Sequence, residues 1–283
     1  MEKISSILFT KDNAAQLKVF LDSVEKNAKN IFDLNIIISY TNDEYKKGYE
    51  KIICDNKYNG IKFIYSKSDY KKDVIEIIKN SNDYFTFFLD DDVIYDKINI
   101  IDIINSIQED DDVVCFSLRL GKNTTKCYTL GVDNVIHDVK EHGGFIKWDW
   151  KLHYLDFGYP FSVNGHVFRK KDIYKIIKKI NFNSVEELEV GLFDFSEMFP
   201  RNIMISYKKS KLVNIPISRV QQSIEDEMVL TIKENQCKAI RKKINEIFLL
   251  GEFINLENIN FSNIEGCHQD LNLGGSYGNL IEK

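Results

Sequence analysis

The first 120 residues switch repeatedly between two hydrophobic periods, and that switching restricts the fold more than any other property of the chain. The segments ISSILF (Ile4 to Phe9), LNIIISY (Leu34 to Tyr40), IKFIY (Ile61 to Tyr65), YFTFFL (Tyr84 to Leu89) and VVCFSL (Val113 to Leu118) are short β-branched and aromatic runs. Runs of this kind read as strands buried on both faces. Amphipathic stretches separate them. Leu17, Phe20, Leu21 and Val24 share one helical face at i, i+3, i+4, i+7, and Asn13 followed by Gln16 imitates a capping box. Further helices are expected over Asp43 to Asn56, Asp73 to Asn80 and Ile98 to Gln108. Strands alternating with helices imply βαβ units, hence an α/β fold with a mainly parallel, Rossmann-like sheet flanked by helices.

Such sheets bind ligands beyond the carboxyl ends of their strands. The segments Thr10 to Asn13, Ser39 to Asn42 and Ser66 to Asp69 fall at those ends, and so do Asp90, Asp91 and Asp92, directly after YFTFFL. Adjacent carboxylates repel one another, and a bound cation relieves the repulsion. On an extended strand Asp90 and Asp92 would project to one side and Asp91 to the other. The outer pair would then meet one Mg2+ or Mn2+ ion, which favours oxygen ligands and fills its shell with substrate phosphates. The bland alternative is a solvated loop. Asp110 to Asp112 form a second acidic triple, but they precede a strand and read as a surface turn.

Beyond residue 120 glycines punctuate a loop-rich middle. Lys171 to Ile180, Val185 to Phe193 and about Asp226 to Leu250 look helical, KLVNIPISRVQ looks extended, and the tail CHQDLNLGGSYGNL reads as a loop lying over something. Trp148 and Trp150, with Asn164 and His166 nearby, suit a sugar-binding wall of aromatic faces and hydroxyl-bonding groups. An aromatic core is the other reading. The net charge of -5 argues against nucleic acid as the main partner. Five cysteines without a CxxC pair fit reduced thiols. The N-terminus lacks a signal-peptide pattern, and no run reaches the roughly 20 apolar residues of a transmembrane segment. A cytoplasmic protein is expected, with peripheral membrane attachment left open.

The four β/α units that close on FFLDDDVIY resemble glycosyltransferases of the GT-A fold, including bacterial family 2-like enzymes. The resemblance covers residues 1 to about 120 well and the rest loosely. It implies a nucleotide-sugar-binding half (1–120) and an acceptor-binding half with a C-terminal helical and loop region (121–283), in one continuous domain. Thr10, Lys11, Asp12, Ser39, Thr41, Asp90 and Asp91 would face the nucleotide of a UDP- or GDP-linked sugar. Asp92 would be the most direct ligand of a Mn2+ or Mg2+ cofactor, with Asp90 beside it and His268 as a ligand from the C-terminal region. Glu187 or Glu189 would be the base of an inverting transfer to a glycan or other hydroxyl acceptor, although both also fit a solvated helical face. Arg119, Lys122, Arg201, Lys208 and Arg219 are candidates to screen the leaving diphosphate. A role in surface glycan synthesis follows from family habit. A sugar-nucleotide nucleotidyltransferase would need a glycine-rich loop after the first strand, where FTKDNAAQ has none. A non-catalytic sugar-binding module of the same fold is the remaining alternative.

Overall fold

The computed structural model describes residues 3–66, 70–217 and 227–278, with side chains in the last stretch described from Asn235 onward. The chain runs β1 (Ile4–Lys11), α1 (Ala14–Asn27), β2 (Phe32–Ser39), α2 (Asp43–Ile53), β3 (Lys62–Tyr65), α3 (Tyr70–Lys79), β4 (Tyr84–Leu89), β5 (Asp92–Ile94), α4 (Ile100–Gln108) and β6 (Val113–Ser117). It continues through β7 (Lys126–Cys127), β8 (Val132–Asp133), β9 (Lys140–His142), β10 (Phe145–Asp149), β11 (His166–Arg169), α5 (Lys170–Ile177) and α6 (Val185–Asp194). The last elements are β12 (Ile203–Tyr207), β13 (Leu212–Asn214), α7 (Glu227–Leu249) and α8 (Gly275–Gly278).

Among the described residues one sheet has the order β3-β2-β1-β4-β11-β6-β12-β10-β9. Strands β1 to β4 pair in parallel, as does β6 with β12, while β11 is inserted antiparallel between β4 and β6. The expected α/β sheet is therefore present, and strands from both sides of residue 120 alternate within it. Helices cover both faces. Leu17, Phe20, Ile103, Ile107, Ile244 and Phe248 fill one apolar layer, and Val74, Ile78, Ile173, Ile177, Leu188 and Leu192 fill the other. Burial on this scale is the main favourable term in folding.

Local chemistry sets the helix starts. The Asn42 side chain accepts from Glu44 and Tyr45 N–H to open α2, Asn99 accepts from Ile101 N–H at α4, and Ser184 from Glu187 N–H at α6. The capping box expected at Asn13 and Gln16 does not form. Asn13 makes no side-chain cap bond; its amide donates instead to Gln16 Oε1 (2.7 Å) and Asp90 Oδ1 (3.0 Å).

Candidate active site

The three aspartates do not lie on one extended strand. β4 stops at Leu89, Asp90 and Asp91 make a turn, and Asp92 opens β5. This corrects the expectation that Asp90 and Asp92 share a side, because a turn removes the two-residue alternation that the expectation assumed. Asp90 leans toward the end of β1, where it accepts from Lys11 N (3.3 Å) and Asn13 Nδ2 (3.0 Å). Asp92 is fully enclosed. Its Oδ2 accepts from Leu89 N at 2.9 Å, and its Oδ1 accepts from Asn164 Nδ2 at 3.1 Å and Asn214 Nδ2 at 3.0 Å. Burial, and then the neighbouring charge of Asp91, push the Asp92 carboxyl up to about 7 against the pull of these donors.

Strand register explains how a residue so far along the chain reaches the turn. β13 pairs antiparallel with β5 and sets Asn214 opposite Asp92, while an isolated parallel bridge pairs Asn214 with His268. Asn214 Nδ2 also lies 2.5 Å from Asp91 Oδ1, and its Oδ1 is 3.1 Å from His268 Nδ1. The tail thus runs alongside the acidic turn. A narrow crevice beside it is lined by Gln16, Asp90, Asp91, Val93, Ile215, Ile254 and Leu273.

The expected ligand set of Asp90, Asp92 and His268 is not a preassembled cage. Asp90 turns to β1, the oxygens of Asp92 are engaged by amide donors, and His268 meets the cluster through Asn214. Among the described residues no three His, Cys, Asp or Glu side chains are grouped to hold a metal ion.

Of the nucleotide candidates, Lys11 and Thr41 are exposed and Ser39 is half-buried at the strand ends. Thr10 and Asp12 are buried and engaged internally: Thr10 Oγ1 meets Tyr49 Oη at 2.8 Å, and Asp12, at φ 57°, accepts from Thr41 N at 2.7 Å. They brace the strand ends. Glu187 caps its own helix, accepting from Asn183 N at 2.6 Å. Glu189 accepts from Ser162 Oγ and Val163 N, both at 3.2 Å, on the segment that carries Asn164.

Three residues expected to wall a sugar site are core residues. Trp148 and Trp150 are buried and donate their indole N–H to Phe157 O and Arg201 O; Trp148 holds an inward-facing position of β10, and Trp150 opens the short 3-10 turn that follows it. His166 is fully enclosed, with Nδ1 3.1 Å from Pro160 O. Asn164, by contrast, reaches Asp92. Gly165, at φ +68°, makes the bend that delivers it; a Cβ there would lie 2.9 Å from Leu212 Cδ1.

Arg119 is buried, and its guanidinium donates to Ser162 Oγ (2.7 Å) and Asp156 Oδ1 (2.6 Å), so it serves an internal network. Lys122 and Lys208 pair with Glu141, and Arg201 with Asp172. Arg219 lies outside the described residues, as do residues 67–69 of the third strand-end segment. The five cysteines are free thiols. Asn214 and Tyr49 carry no expected role in the sequence, and Asn13 reads there as a helix cap rather than as a partner of Asp90. The signal for Asn214 is one polar residue inside the apolar run KLVNIPI.

Fold and site define an α/β protein that gathers carboxylates at the carboxyl end of a central strand, where sheets of this kind bind their ligands. No protein-family model matches the chain. It is 27% identical over 199 residues to the bifunctional glycosyltransferase pgtA of Dictyostelium discoideum, an alignment covering 62% of this chain and 25% of that protein. The chain therefore spans about a quarter of that relative. Two solved structures also align with it. The crystal structure of S. aureus TarS superposes with a TM-score of 0.47 at 17% identity over 87% of this chain and 44% of that one. S. aureus TarS 1-349 in complex with UDP gives 0.47 and 14% over 90% and 68%.

Proposed function

We propose that the chain is a glycosyltransferase that moves a sugar from a nucleotide-diphosphate donor to a hydroxyl acceptor, using a divalent cation at the Asp90–Asp92 turn. The observation that carries this reading is the convergence of Asp91, Asp92, Asn164, Asn214 and His268 at the end of β4. The likeness to pgtA supports it.

The residues present fit a hard cation by donor chemistry, since Asp90, Asp91 and Asp92 sit together at one turn and the carboxylates of Asp91 and Asp92 converge on Asn214. Bound there, Mn2+ or Mg2+ would offset the charge that develops on a leaving diphosphate. Asn164, Asn214 and Leu89 N–H hold Asp92 in place, so the turn keeps its shape when Asp91 engages a ligand. Glu189 is the better candidate than Glu187 to take the acceptor's proton, because it is tied to the segment leading to Asn164 while Glu187 is tied to a helix cap. A nucleotidyltransferase is disfavoured: Asp12 and Asn13 alone join β1 to α1, leaving no loop to wrap a triphosphate. A part in surface glycan assembly rests on analogy. Among the described residues no helix is long and apolar enough to cross a membrane.

Thermal shift with UDP and with GDP, each with and without Mn2+, tests the reading. The wild type should gain stability only when nucleotide and Mn2+ are both present, by about 2.7 kcal/mol at a hundredfold excess over Kd. Asp91→Asn should lose that gain and keep its basal Tm. Identical melting curves under every condition would overturn the proposal.

A further inference from the structure

Asn214 is fully buried and touches the acidic turn and the tail at once. An asparagine amide has one donating end and one accepting end. The donating end is committed here, because Nδ2 lies 2.5 Å from Asp91 Oδ1 and 3.0 Å from Asp92 Oδ1, and carboxylates ionised at a pH above the Asp92 value of about 7 only accept. Exchanging the two ends would set oxygen against oxygen in a place closed to water. The carbonyl end therefore faces His268 Nδ1, at 3.1 Å. A carbonyl oxygen cannot donate, so Nδ1 carries the proton, and Nε2 of the neutral ring carries the lone pair.

We propose that Asn214 is a positioning residue: by reading the two carboxylates with its amide, it fixes the neutral His268 ring in the Nδ1–H tautomer, with the electron pair on Nε2. Histidines that serve metals are oriented in this way, by an outer partner on the other ring nitrogen. The tautomer is argued from the Asn214 contact; its use in binding a cation rests on the function proposed above. The tail does not depend on this side chain for its path, because Asn214 N donates to Cys267 O (2.9 Å) and Gln269 N donates to Asn214 O (3.0 Å). Asn214→Leu therefore removes the amide while the backbone pairing persists.

The test is 15N NMR of the His268 ring at alkaline pH, in protein free of metal and nucleotide, alongside Mn2+-with-UDP binding. In the wild type Nδ1 should be protonated and Nε2 not. Asn214→Leu should lose that preference and bind Mn2+ with UDP ~10–100-fold more weakly. Asn214→Ser should recover part of both, since a hydroxyl can donate to a carboxylate and accept from Nδ1. A wild-type ring protonated at Nε2, or a tautomer unchanged in Asn214→Leu, overturns the inference even where Mn2+ binds. A wild type in the expected tautomer that binds no Mn2+ with nucleotide overturns the functional reading and leaves the inference standing. If Asn214→Leu fails to fold, the wild-type and Asn214→Ser spectra decide.

Discussion

Burial, and after it the guanidinium of Arg119, lower the His166 ring to about 3 from its ordinary 6.5. The folded protein therefore refuses a proton that the unfolded chain accepts. The stability this provides is complete above pH 6.5 and is lost as pH falls toward 3, by roughly 1.4 kcal/mol per pH unit. In His166→Phe, chemical denaturation between pH 6.5 and 4 should give a flatter dependence; an unchanged slope would show that another group governs the acid limb. His166 also marks where residue-level reading stops. A histidine among aromatics and glycines has the same composition whether it lines a pocket or fills a core, and the same holds for Trp148 and Trp150. Only the facing of β10, of the turn that follows it and of β11 decides, and that depends on partners elsewhere in the chain. The acidic cluster at the end of β4 was legible because an apolar run ends abruptly in charge, but its turn was not, since nothing local marks where the strand stops.

Elements bounded by local signals were legible, and elements defined by distant pairing were not. β4 falls on YFTFFL, and α6 begins after Ser184 as its capping chemistry directs. No local signal places β13 against β5, and Asn214 stands 122 residues from Asp92. Helix α6 carries a prediction that separates its two acidic candidates. Glu189→Gln should lower the rate of donor turnover by about 10²-fold or more, the scale of general-base assistance. Glu187→Gln should stay within a few-fold, because its oxygen caps Asn183 N. Nucleoside diphosphate release measures both. Equal losses would return the two to one solvated face, and a greater loss in Glu187→Gln would reverse their roles.

At the scale of the whole molecule, the sheet interleaves the two halves. β4 lies between β1 and β11, and β6 lies between β11 and β12. A fragment of residues 1–120 would leave one edge of β4 and both edges of β6 without partners, and open strand edges recruit other chains. By circular dichroism and size exclusion, that fragment should be poorly folded or aggregated. A monomeric, cooperatively melting fragment would refute the interdependence. The same weave has a consequence during synthesis. A ribosome that has just emitted Ser117 must translate through Tyr207 before that segment can acquire both flanking neighbours, a delay on the order of 5–20 s at ordinary elongation speeds. Through that interval the nascent chain carries a half-built centre, so chaperone demand should peak late in translation and fall once the second half has been threaded home.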